Sequence, residues 1–165
     1  KDTVKDTSHS AFSLNRKNNY FGHWLRHGSQ YPDTQLRLFR KGKARFPNQH
    51  VHEKLVVDGS IGKLRTDMLH FPYENINQYL RKFNFYTGVE ALYLKDAGLE
   101  INLFNTLSFT LLKPITRFIR RYIFKGGFRD GLPGLFCSLF DALNCVVRYF
   151  KLWEMNQQNS GKREK

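Results

Sequence analysis

A change of hydrophobic period near Pro72 constrains this chain more than any other feature of it. Ahead of Pro72, segments such as "SAFSLNRKNNYF" (10–21) and "VHEKLVVDGSIGKLRTDMLHF" (51–71) alternate apolar and polar residues loosely, the period of two that belongs to half-buried strands. Behind it Ile76, Tyr79, Leu80, Phe83 and Tyr86 recur at helical spacing. Pro72 suits the first turn of a helix, and Gly98, just beyond Lys95, suits its end. The expectation is an α/β chain in which short strands are followed by amphipathic helices. It divides into a strand-rich part over 1–71, a connecting helix over 72–98, basic amphipathic helices over 99–155 and a polar, disordered tail over 156–165.

Within the strand-rich part, "FGHWLRHG" sets His23 and His27 four apart, so a short surface turn of helix would place both on one face. Zinc sites use that spacing, but no cysteine or third histidine supports a metal there. "QLRLFRKGKARF" reads as a helix or strand turning at Gly42, and Asp58-Gly59 as a hairpin signal joining two short strands.

In the helical part, Ile115, Phe118, Ile119, Tyr122 and Ile123 form one face beyond Pro114, and Lys113, Arg117, Arg120 and Arg121 form the other. After "KGGFRDGLPG" a second helix carries Leu132, Leu135, Phe136, Leu139, Phe140, Leu143, Val147 and Phe150 on its apolar side. Neither helix holds the roughly 18 uncharged apolar residues of a membrane span. Both meet the needs of an interfacial helix, with cationic flanks and Tyr122, Tyr149 and Trp153 as aromatic anchors. The alternative is that both apolar faces pack against the rest of a larger protein.

A net charge of +13 and a pI near 9.9 favour an anionic partner: nucleic acid, a membrane surface or a phosphate-bearing substrate. Lys and Arg outnumber Asp and Glu ten to three in residues 1–50 and eleven to four in 101–165, with six against seven between. The charge therefore sits in two blocks and suggests two anionic contacts. Cys137 and Cys145 lie in an apolar stretch without the paired spacing of a zinc site or disulfide framework, and read as reduced, buried thiols. The first ten residues are polar and show no signal peptide. A first residue of Lys hints at a fragment, a processed chain or a truncated reading frame.

Few motifs carry chemistry. There is no P-loop, GxSxG, Cys/His zinc pattern, helix-turn-helix or RNA-binding signature. Two candidates remain: Asp33, at the head of "YPDTQLRLFRKGKARF", and the "VHE" at 51–53. On a strand His50 and His52 share one face and Glu53 takes the other. A histidine there could bind a metal, hydrogen-bond a phosphate or fill a polar gap.

The succession from "LNRKNNYFGHWLRHGSQYPDTQLRLFRKGKARFPNQHVHEKL" through "LHFPYENINQYLRKFNFYT", followed by "FKGGFRDGLPGL" and "KLWE", resembles the C-terminal half of bacterial family 2 glycosyltransferases, of the lipopolysaccharide-core glucosyltransferase type. The resemblance covers roughly residues 10–155 and involves several ordered motifs. It implies the acceptor side of a GT-A fold, followed by helices resting on the cytoplasmic face of the inner membrane. It also implies a nucleotide-sugar donor, a lipid-linked envelope glycan as acceptor, an anionic membrane surface and no nucleic acid. The family's nucleotide-binding half would precede Lys1, and no Asp-x-Asp occurs here, so this chain alone should not transfer sugar.

"PDTQLRLFR" resembles the family's "ED-x-D-L-x-x-R", with Pro32 in place of the first Glu. The match puts Asp33 at the position of the general base, with Glu53 as its rival. Tyr31, Arg37, Arg40 and His52 become substrate-binding candidates, the cations standing near the donor phosphates. A divalent metal, Mg²⁺ or Mn²⁺, is implied, with His52 as a candidate ligand. Lys113, Arg117, Arg120, Arg121 and Trp153 become membrane contacts. The rival class is a basic, non-enzymatic binding module for an anionic membrane or nucleic acid.

Overall fold

The computed structural model describes residues 8–46 and 55–160. Its sheet is built around β1 (Ala11–Tyr20), the expected first strand. On one side β3 (Asp33–Phe39) runs antiparallel to it, and β2 (His23–Trp24) folds back on its last two residues. On the other side β6 (Ile61–Lys63) and β7 (Met68–Tyr73) run parallel to it. β4 (Ala44–Arg45) and β5 (Val56–Val57) make a separate ribbon beyond the turn at Gly42, whose φ is +82°. Strands followed by helices give the expected α/β class.

Three local expectations are corrected. Residues 21–28 form no helical turn, because Phe21 and Gly22 both take positive φ and close β1 onto β2 as a tight hairpin. His23 and His27 therefore share no helix face. Asp58-Gly59 joins two strands that do not pair with each other: β5 pairs with β4, and β6 with β1. Gly62 lets β6 approach, since a Cβ there would sit 2.7 Å from the Phe12 ring. Pro72 lies in β7, not in the helix. The helix α1 (Ile76–Asp96) starts at Asn75, whose side chain accepts the Gln78 N–H at 2.9 Å. It ends before Gly98, at φ +70°, as expected.

α2 spans 103–124, with α-helical Leu103–Leu107 and Lys113–Phe118 alternating with π-helical Ser108–Leu112 and Ile119–Phe124. A 3₁₀ turn at Gly127–Asp130 leads into α3 (Gly131–Ser160). That turn lies close on α3, because a Cβ at Gly134 would collide with the Gly127 carbonyl oxygen. α3 continues through 156–160, where composition suggests a disordered tail. Adding residues to a long helix costs far less than nucleating one, so a polar end can follow. Edge-to-face contacts of Phe21 with Phe136, and of Tyr79 with Phe136 and Phe140, join sheet, α1 and α3.

The apolar residues Ile115, Ile119 and Ile123 of α2 lie uncovered, but two arginines of its polar face turn inward. Arg121 and Arg117 reach Asp141 on α3 at 2.8 and 3.7 Å, while Ile115, Ile119 and Ile123 are exposed. Pairing with a half-buried carboxylate holds the arginines inward. By length and composition Gly127–Gln158 is apolar enough to cross a membrane if a charged residue or two is allowed within the run, while the count of uncharged residues stands. Asp141 interrupts that count, yet its charge is matched by Arg121.

Candidate functional site

The alternation of β1 points Arg16, Asn18 and Tyr20 to one side of the sheet. Register completes a polar row across them. Asp33 on β3 stands opposite Arg16, and His70 on β7 stands opposite Asn18. The Arg16 Nε and Nη2 reach Asp33 Oδ2 at 2.8 and 2.6 Å, and Gln35 Nε2 donates to Oδ1 at 2.7 Å. Burial acts to raise the Asp33 carboxyl, but the hydrogen bonds from Gln35 and Arg16 and the Arg16 charge outweigh it and hold it below the usual carboxylate range. Asn18 donates to the Gln30 carbonyl at 3.1 Å, and His70 Nδ1 lies 2.8 Å from Asn18 Oδ1. Burial, then the Arg16 charge, push the His70 imidazole below its ordinary value, favouring its neutral form.

The row ends in a small cleft of about 130 Å³ between sheet and helices. Tyr20, Gln30, Tyr73, Tyr79, Asn144 and the Arg121–Asp141 pair line it. Tyr20 and Tyr73 meet edge to face at 4.9 Å, as do Tyr73 and Tyr79 at 4.7 Å. Burial raises all three tyrosines, which therefore stay protonated and able to donate. Amides, phenol hydroxyls and aromatic faces together offer donors, acceptors and apolar surface here. A larger groove of about 410 Å³, lined by Phe21, Ile76, Leu132 and Phe136, is nearly all apolar and offers no such chemistry.

The loop that carries Gln30 into the cleft is held by residues far along the chain. Asp130 Oδ2 accepts the backbone N–H of Arg26 and His27 at 2.9 and 2.8 Å, and Oδ1 lies 2.7 Å from His27 Nδ1. Arg121 Nε adds a bond to the Gly28 carbonyl at 2.9 Å. Asp130 is nearly buried and has these partners about a hundred residues away in sequence.

The site residues read from the sequence are dispersed. Asp33 sits in the row. Tyr31 donates to both oxygens of Asp67 at 3.2 Å, next to it. Arg37 is exposed farther along β3, and Arg40 donates to the His9 carbonyl at 3.1 Å. His50, His52 and Glu53 lie outside the described residues. Trp153 is half exposed on α3, Arg120 is exposed, and Lys113 Nζ stands 3.3 Å from the centre of the Phe109 ring. Cys137 and Cys145 are free and buried, and burial pushes the Cys137 thiol up to about 12. Among the described residues no group of three or more His, Cys, Asp or Glu is placed to hold a metal ion. Sequence reasoning misses Arg16, Asn18, His70, Asp130 and the three tyrosines. The one available signal was alternation along 16–20, which needs the strand register to gain meaning.

No protein-family model matches the chain, and no solved structure matches it. The chain is 32% identical over 121 residues to the lipopolysaccharide core biosynthesis glycosyltransferase LpsC of Rhizobium meliloti (strain 1021), an alignment that covers 72% of this chain and 43% of that protein. It thus spans less than half the length of this relative, and the likeness ties it to glycosyltransferases.

Proposed function

We propose that this chain is the acceptor-side and membrane-proximal part of a family 2 glycosyltransferase of GT-A type. It would act in transfer of a sugar from a nucleotide-sugar donor to a lipopolysaccharide-core or related envelope glycan, at the cytoplasmic face of the inner membrane. The observation that carries the reading is the 32% identity to a lipopolysaccharide core biosynthesis glycosyltransferase over most of this chain. The cleft of tyrosines and amides supports it, being suited to sugar hydroxyls.

An inverting transfer needs a carboxylate within hydrogen-bond reach of the attacking hydroxyl, and positive charge toward the departing diphosphate. In this reading Glu53 takes the proton. Asp33 has both oxygens engaged and a lowered pKa, which suits it to fixing Arg16 and makes it a poor base. Arg16 and Arg37 supply charge on the sheet side, and Tyr31, two residues before Asp33, and His52, next to Glu53, are substrate contacts. The divalent ion implied by the resemblance finds no fitting cluster among the described residues, and no step here runs through it. The exposed apolar side of α2 would rest on the membrane and bring the cleft to a lipid-linked acceptor.

The test is transfer of labelled sugar to a core oligosaccharide by the enzyme carrying both halves. Glu53→Gln should lower turnover by about 10² to 10⁴ with donor binding kept. Asp33→Asn should cost much less. The reverse ranking returns the base to Asp33. A wild type without transfer that binds nucleic acid with steep salt dependence would instead support the basic binding module.

A further inference from the structure

Starting from the Arg121–Asp141 pair at the edge of the cleft, the seam between α2 and α3 gathers more positive charge than it neutralises. Arg121 and Arg117 share Asp141 at 2.8 and 3.7 Å, and Arg148 reaches Glu90 on α1 at 3.3 Å. Lys113, one helical turn before Arg117, has no carboxylate within ion-pair distance among the described residues. Four cations thus meet two carboxylates, an excess of two positive charges.

Three of these cations converge on one spot. Arg117 Nη1 lies 3.5 Å and Arg148 Nη2 3.9 Å from the same Cys145 sulfur. Lys113 Nζ lies 3.3 Å and the Arg148 guanidinium carbon 5.6 Å from the centre of the same Phe109 ring. Cys145 and Phe109, both buried, form the floor beneath them. Like charges at this range repel unless an anion stands between them. The Arg148 Nε is buried without a hydrogen-bond partner, so this guanidinium offers a ligand its Nη groups only. Burial, then the Arg148 charge, also pull the Lys113 ammonium below its ordinary value. At the rim, Leu112 and Ile115 are exposed.

We infer that Lys113, Arg117 and Arg148 form a binding site for a phosphate group, carried either by a lipid headgroup or by a soluble phosphate ester. Three donors from two helices match the three oxygens of a phosphate monoester, and its charge matches the local excess. The inference does not depend on the transferase reading.

Two arms test it. Inorganic phosphate is titrated into the protein and followed by phosphorus NMR, and flotation with phosphatidylcholine vesicles is compared with and without phosphatidic acid. Lys113→Gln and Arg148→Gln should each weaken phosphate binding about tenfold, while Lys63→Gln, an exposed cation on β6 outside the cluster, leaves it unchanged. Because Arg148→Gln also breaks the Glu90 pair, the exposed Lys113 decides the matter. Loss of phosphatidic acid-dependent flotation in Lys113→Gln assigns the site to a headgroup. Weakened phosphate binding with flotation unchanged assigns it to a soluble ester. Absence of saturable phosphate binding, or binding equal in wild type, Lys113→Gln and Arg148→Gln, overturns the site.

Discussion

The sheet and the helices treat charge and apolar surface in opposite ways. On the sheet, Arg16, Asp33, Gln35, Asn18 and His70 satisfy one another within a single face. On α2, Arg117 and Arg121 turn toward α3, and Ile115, Ile119 and Ile123 are left facing outward. A finished polar face suits chemistry in water. An apolar face left uncovered calls for a second phase or a partner to complete it. The two regions meet at Asp130, which reaches from the turn before α3 to the loop after β2.

The most damaging way to break this pairing is to remove that junction. Asp130→Ala should cost about 3 kcal/mol or more, since it strips two backbone donors and His27 of their nearly buried acceptor. Urea denaturation measures it. A loss below about 1 kcal/mol would mean that the aromatic seam through Phe136 and the bonds of Gly28 to Arg121 and Lys125 hold sheet to helices without it. Next in size is the orientation of α2. Arg121→Gln should cost about 2 kcal/mol, because the side chain holds both Asp141 and the Gly28 carbonyl, whereas Arg120→Gln should stay within about 0.5 kcal/mol. Equal losses at the two positions would contradict the inward turn.

A smaller effect should appear with pH. The folded state favours neutral His70, so its contribution is complete above the ordinary histidine value of 6.5 and fades as pH falls below it. Asp33 has a lowered folded value, so its contribution is complete above the ordinary carboxylate range and is lost as pH falls through that lowered value. Thermal melts should therefore soften in two acid steps. His70→Gln should remove the first and leave the second, and a wild-type profile flat from pH 7 to pH 5 would sink the assignment of His70.

Periodicity makes much of this architecture legible. The strand at β1, the existence of α1, its stop at Gly98 and the two helices behind it follow from spacing, while the start of α1 does not. What spacing omits is pairing between distant segments. Arg16 and Asp33 are seventeen residues apart, and one residue of slip in the register would send them to opposite faces. The faces of α2 are legible too, but the inward turn of Arg117 and Arg121 is not. A row of arginines reads as solvent-facing until Asp141 of another helix is known to oppose it. Asp130 is hidden for the same reason, as its partners belong to the other end of the chain. The "VHE" candidates lie outside the described residues, so the sequence remains the basis for their roles.

The most direct test of the contrast is membrane flotation of the protein with anionic vesicles, comparing wild type with Ile115→Ser, Ile119→Ser and Ile123→Ser combined. These side chains are exposed, so the variant should keep its helical circular dichroism and its urea midpoint. The account predicts that the wild type floats with the vesicles and the folded triple variant stays in solution. Equal flotation of both, or a wild type that stays in solution, would contradict it and assign the outward face of α2 to contact with protein.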